Sequence, residues 1–326
     1  MSSYEAQPED LPPLELTQLR ELDVVEPDHP DRPAHVAEAS GIAKRGDWVY
    51  AVGDDMLHLS AFRLSSEEPG TLRKALTGEL PTDEDERKGE KPDLEAIGVM
   101  PPFPGHPHGL ILGIGSGSDD SGRARDRGFA WSFDRDGSLR GEPMEIDLNP
   151  VYTLLRSEID GLNIEGAAVV GDRLWLLQRG NRGGPNAVAE LSLREVERSL
   201  HSDLEIDAHE LADLRTYDLG DLNGVPLCFS DGAALPTGEL VFTASAERDE
   251  VADGEDEIEG SVVGTIEPDG TVRRLRTIDR RWKVEGVHAT LDTGVLDLLF
   301  VCDQDDPDHG SPLLSATMPL DGDHER

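Results

Sequence analysis

Five carboxylates stand at the head of five similar stretches: Glu38, Glu95, Glu165, Asp231 and Glu285. Each is followed at once by Ala or Gly and then by a short apolar run. If the runs converge, the acids share one small volume. Carboxylates in a shared low-dielectric site repel unless a cation or a proton neutralises them. An oxygen-only donor set suits a hard cation, Ca2+ first and Mg2+ as the alternative. With a cation activating water, Glu165 or Glu285 would serve as the base of a hydrolysis. The competing reading is structural: the acids cap strands by accepting hydrogen bonds from neighbouring backbone amides.

A second group of residues is basic. Arg123 and Arg125 follow Ser116-Gly117-Ser118, and Arg179, Asn181 and Arg182 occupy the loop from Gln178 to Gly184. Lys283 lies two residues before Glu285, as Asp93 and Asn163 lie two before Glu95 and Glu165. In a strand that spacing returns to the same face. Gly-rich loops with Arg hold anions through backbone amides and bidentate guanidinium contacts. The expected ligand is a small anion, such as a phosphate-bearing molecule seated above the cation. Alternatively, these bases simply pair with the acids. His288 sits on an apolar run and reads as packed; His106, His108 and His309 fall in turns. A nucleophile elbow, a phosphate-binding P-loop, a dinucleotide fingerprint and a His-Glu-x-x-His motif are all missing from the sequence.

The elements that must position these residues are hairpins. After Glu165 the chain turns at Gly171-Asp172 and returns as Leu174–Arg179; the other four units repeat this with turns at 45–47, 101–109, 236–238 and 292–294. The lead acids are spaced by 57, 70, 66 and 54 residues. Third-strand candidates are 57–64, 128–134, 187–193, 260–266 and 312–318, and fourth-strand candidates are 72–76, 139–146, 211–219 and 272–278. Short strands in fours, repeated at this period, predict a β-propeller whose innermost strands line the axis. The fifth unit lacks a fourth strand, and residues 14–22 are expected to supply it, closing the ring and covering a sheet edge. The prediction is a single five-bladed propeller domain over 14–320, with a disordered N-terminal tail at 1–13 and a C-terminal tail at 321–326. A six-bladed alternative would hide a further blade in 140–225, where 151–159 and 192–200 otherwise read as helical insertions. The acidic stretches 77–91 and 247–258 read as surface loops.

The chain has 326 residues and a formal net charge of −38, from 68 acidic against 30 basic residues. Such a balance marks either disorder or an acidic, hydrated surface of the salt-adapted kind. Its interleaving with strand patterns favours the second. It argues against nucleic acid and anionic membranes as partners, both of which would repel it. The two cysteines, Cys228 and Cys302, are too few and too far apart for a disulfide framework. No apolar stretch of about 18 residues is present, and a cytoplasmic protein is expected. Oligomeric state cannot be read from the sequence.

Lys91-Pro92-Asp93-Leu94-Glu95-Ala96, Asn163-Ile164-Glu165-Gly166, Leu177-Gln178-Arg179-Gly180-Asn181 and Lys283-Val284-Glu285-Gly286 resemble an uncharacterised bacterial β-propeller family. That family is similar in turn to the esterase-like phytase and SdiA-regulated propellers, where Asp-Leu-Glu-Gly motifs open inner strands. The resemblance spans roughly 35–305. It implies a propeller with a polar axial site of the Ca2+-binding kind, and phosphoester hydrolysis. Only Asp93-Leu94-Glu95 keeps both acids of the motif; Val36 and Asn163 stand where the leading Asp of the first and third units would be.

Overall fold

Alternating apolar residues and tight glycine turns give each unit its first hairpin. At Gly171, φ is +60°, a left-handed conformation that glycine adopts without a Cβ penalty. The computed structural model describes residues 2–6, 12–118, 125–181, 183–248, 257–303 and 308–320. The strands assemble into five antiparallel-based blades and one additional two-stranded hairpin. Blade 1 is Ala39–Arg45, Trp48–Gly53, His58–Arg63 and Thr71–Lys74. Blade 2 is Leu94–Met100, Leu110–Gly115, Arg127–Ser132 and Met144–Asp147. Blade 3 is Ile164–Val170, Arg173–Gln178, Asn186–Ser192 and Leu211–Asp218. Blade 4 is Cys228–Ala234, Leu240–Arg248, Glu257–Ile266 and Val272–Thr277. Blade 5 is Val284–Asp292, Val295–Cys302 and Pro312–Pro319, completed by Thr17–Glu21 from the N-terminal side.

The inner strands touch in the cyclic order of the blades, and the last meets the first. The apolar core falls into five clusters, one between each pair of adjacent blades. A single blade therefore cannot bury its faces, and stability comes from the closed ring. The fivefold prediction holds. The wide spacings come from helices rather than a sixth blade: Asn149–Glu158 and Leu193–Ser202 bury Val151, Tyr152, Leu155, Val196 and Leu200 against blades 2 and 3. Strand and second helix abut without overlap, because Ser192 ends the one and sits at the cap of the other.

Two sequence expectations need correction. Ser2–Glu5, expected to be disordered, adds a fifth strand to blade 3, parallel to Leu211–Asp218. Tyr4 anchors it by stacking on Tyr217, with ring centroids 5.3 Å apart. The stretch 77–91 is not all loop: Glu84–Glu90 is a short helix whose Asp83 cap accepts from the Glu86 amide at 3.1 Å. Much of the acidic stretch 247–258 lies outside the described residues, as does 321–326. Among the described residues no helix is long and apolar enough to cross a membrane.

Thr17–Glu21 pairs antiparallel with Pro312–Pro319, and Leu14, Leu16 and Leu22 around it are buried. Removing residues 1–22 would bare the outer edge of blade 5 and lose this burial. The truncated chain is expected to melt at a lower temperature and to associate with rising concentration in size-exclusion chromatography. A monomeric chain with the parental melting point would contradict closure by this strand.

Candidate functional site

The pairing register sorts the lead acids into different jobs. Every inner strand carries a bulge against its neighbour, and the extra residue is Ser40, Glu95, Glu165, Ser230 or Glu285. Three of the expected acids thus occupy equivalent positions. Glu38 lies two residues earlier in its strand, equivalent to Asp93, Asn163, Cys228 and Lys283. Asp231 lies one residue later, where the other blades have Gly41, Ala96, Gly166 and Gly286. Those small residues have a steric cause. A Cβ on Gly286 would stand 3.0 Å from the Gly41 Cα, and one on Gly166 3.1 Å from the Asp231 Cα.

Asp231 is fully buried at this constriction. Its Oδ1 accepts from the Gly232 amide at 2.7 Å and its Oδ2 from the Val287 amide at 2.9 Å. The Ile42 amide also donates to it. Burial raises its pKa well above the carboxylate range, and the backbone donors pull back against that shift. One side chain thereby ties blade 4 to blades 5 and 1. Asp231 has the structural job that the capping reading described, not the exposed oxygens that a metal ligand needs.

Of the remaining acids, Glu95 and Glu165 line a cavity of about 490 Å3 at the mouth where the inner strands begin. A third polar series stands opposite the bulges on the second-strand side, Asp54, Ser116, Arg179, Ser245 and Asp303, of which Arg179 and Ser245 line the cavity. Blades 1 and 2 form the acidic side. Carboxylate oxygens of Asp54, Asp93 and Glu95 lie within 4.8 Å of one another, and so do those of Glu38, Asp54 and Asp55. Lys91 pairs with Asp54 and, at 3.1 Å, with Asp93; Arg125 reaches Asp93 at 2.9 Å. Asp55 is held by Arg32 and by Arg87, the latter at 2.8 Å. Burial, together with Asp54, Asp55 and Asp303, pushes Glu38 up to about 9. Burial and the neighbouring Glu165, Asp93 and Asp54 raise Glu95 well above its ordinary range.

Blades 3 to 5 form the mixed side. Arg179 lies between Glu165, at 3.4 Å, and Glu247. Lys283 lies between Glu285, at 3.6 Å, and Asp303, at 3.3 Å. Burial raises Glu165 to about 7 against the pull of Arg179, and Glu285 to about 8 against that of Lys283. Asn163 donates to Glu165, and its own amide N–H donates to the Gln178 side chain at 2.7 Å. Four buried polar atoms at this mouth have no hydrogen-bond partner among the described residues: Asp54 Oδ1, Arg179 Nε, Asn181 Oδ1 and Glu247 Oε1. A buried polar atom left unsatisfied costs about 1–3 kcal/mol.

Of the sequence-predicted residues, Glu95, Glu165, Arg179, Asn181 and Lys283 line the cavity, and Glu38 and Glu285 stand against it through their charged neighbours. Arg123 and Arg182 lie outside the described residues. Arg125, read with Arg123 in the basic group, lines the cavity, whereas sequence reasoning missed Asp54, Asp55, Lys91 and Glu247 as site residues. The end of each second strand carried a signal, since Asp54, Arg179 and Asp303 recur at one offset.

Residues 35–318 match the family of unknown function DUF6929, and the chain belongs to that family. No curated protein matches the sequence. Among solved structures, a hypothetical protein from Leishmania major is 11% identical, with 94% of this chain and 92% of that one covered and a TM-score of 0.49. MPT-4, a mannose phosphorylase from Leishmania mexicana in complex with phosphate ion, is 12% identical, with 87% and 84% covered and a TM-score of 0.46. A luciferin-regenerating enzyme is 10% identical, with 88% and 92% covered and a TM-score of 0.42. At this distance none of them informs the function of the chain.

The Asp231 staple predicts a stability effect separable from the site. Asp231→Ala strands at least two buried amides and should cost about 3 kcal/mol in denaturant unfolding. A loss below about 0.5 kcal/mol, the scale of an ordinary surface substitution, would mean that the amides find other partners.

Proposed function

We propose that the axial mouth binds a small anionic molecule with the help of a hard divalent cation, and that its reaction is phosphoester hydrolysis. The observation that carries this reading is the acidic side of the cavity. Glu38, Asp54, Asp93 and Glu95 are crowded there; among the described residues Lys91 and Arg125 are the bases that pair directly with this group, and Asp54 Oδ1 is left without a partner. The donor set is all oxygen, which fits Ca2+ or Mg2+. Asp54, Asp93 and Glu95, with Glu38 beside them, would hold the ion, in competition with Lys91 for the same oxygens. When bound, such an ion supplies charge neutralisation and an acidified water. The resemblance of Asp93-Leu94-Glu95 to the esterase-like phytase motif points the same way.

The chain's own residues supply the rest. Arg179 and Lys283, across the cavity, are placed to hold the anion; Arg179 has an unused Nε–H for it. Asn163 and Asn181 add uncharged hydrogen-bonding groups. Glu165, at about 7, titrates near neutral pH, which suits a group that takes a proton from water and returns it to a leaving oxygen. Glu285, at about 8, sits behind Lys283 and tunes its charge. The second reading, a binding propeller without turnover, is favoured by one fact: Arg179 and Lys283 are each already spanned by two carboxylates.

Two expectations follow from the cation. Glu38, Glu165 and Glu285 keep their protons in the folded chain up to about 9, 7 and 8, against 4.5 for an unperturbed Glu. Between those limits the folded state holds more protons than the unfolded one, so stability falls as pH rises. In chelator, the unfolding free energy should therefore decline from pH 5 to pH 9, roughly the window those pKa values bound. Millimolar Ca2+ should raise the melting point most at the alkaline end, and Asp54→Asn/Glu95→Gln should abolish that rise. A parental Ca2+ response in the double variant would sink the site.

Turnover is tested separately. With Ca2+ or Mg2+ present, the chain should cleave a generic phosphomonoester. Glu165→Gln should lower kcat by at least about a hundredfold, the usual scale of general acid–base catalysis, and Arg179→Gln should raise KM. Ca2+ binding without turnover on any phosphoester would leave the binding module as the function.

A further inference from the structure

The opposite end of the axis carries a site of another kind. Beyond the Asp231 constriction the inner strands enclose a cavity of about 230 Å3, lined by Ile42, Ile97, Ala167, Gly232 and Val287 with their neighbours. It is smaller than the roughly 300–1,000 Å3 of pockets for drug-sized ligands, and most of its lining side chains are small and apolar, with backbone polar atoms between them. Polar side chains enter it only as Lys44 and His288. The same two residues also line a larger groove of about 860 Å3 that opens outward along blade 5 and the N-terminal strand. They therefore stand at the junction between an apolar pocket and an open groove.

Lys44 is half-buried, and among the described residues it makes no ion pair. A partly desolvated ammonium is costly without a counter-charge, and an added anion would supply one. The acids of the groove, Glu15 and Asp297, are exposed and do not pair with it. Among the described residues the His288 side chain makes no hydrogen bond. Burial, with Lys44 adding to it, pushes the ring down to about 4, so it is neutral at pH 7 and has one N–H to donate.

We propose that this far mouth is a second ligand site, which takes a small amphipathic carboxylate with its acid group on Lys44 and His288 and its apolar body in the axial pocket. The proposal is independent of the cation site, which lies on the other side of the Asp231 constriction.

Octanoate is the probe, followed by calorimetric titration and by the His288 ring resonances in NMR. The parent chain should bind octanoate and shift the His288 resonances, in EDTA as well as in Ca2+. Octanol, with the same body and no acid group, should bind at least about tenfold more weakly, a change of 1.4 kcal/mol. Lys44→Met, which keeps the apolar stem, should weaken octanoate by a similar factor, and Ala234→Leu should weaken it by narrowing the rim. No binding of octanoate, equal binding of octanol, or parental affinity in Lys44→Met would overturn the proposal. If Lys44→Met does not fold, the octanoate–octanol comparison on the parent decides the matter.

Discussion

Everything in this molecule depends on how closely five inner strands approach one axis. At the constriction a Cβ on Gly286 would meet the Gly41 backbone at 3.0 Å. That approach demands Gly or Ala in four blades, and it leaves no room for solvent between the strands. In the fifth position stands Asp231, which fills the axis with a carboxylate and accepts amides from three blades. The same closeness brings the openings of the strands together, so that any charge at a strand head becomes a shared charge. Burial then does the rest: Glu38, Glu95, Glu165 and Glu285 are all pushed upward.

The constriction also divides the axis chemically. On the near side carboxylates and cations alternate around a polar cavity, and four buried polar atoms there lack partners. On the far side the lining is small and apolar, ending at Lys44 and His288. The two ends share a scaffold but not a chemistry, in keeping with function residing in sites grafted onto a fold. The near side carries more carboxyl groups than bases, and the proposed cation would sit among them without dismantling the Arg179 and Lys283 pairs.

Much of the architecture was legible in the sequence. The five hairpins, their glycine turns, the strand from 14–22 that closes blade 5 and the helical insertions of blade 3 all follow from periodicity and turn residues. What failed was register. All five inner strands carry the same bulge, but their acids do not all stand on it: Glu38 precedes it by two residues and Asp231 follows it by one. Aligning the units on their acids therefore equated Glu38 and Asp231 with Glu95, although Ser40 and Ser230 hold the equivalent positions. The strand Ser2–Glu5 was missed because its pairing partner lies more than 200 residues away and its one anchor is an aromatic stack. Asp54 and Glu247 were missed because they come from second strands and enter the site only through the ring's closure.

The central claim is that a hard cation belongs among Asp54, Asp93 and Glu95. The direct test is a crystal grown with Mn2+ in place of Ca2+, read by anomalous scattering. The account predicts one strong anomalous peak bounded by those carboxylates, with Lys91 displaced from Asp54. A map at saturating Mn2+ with no peak there, and with Lys91 still bridging Asp54 and Asp93, would contradict it.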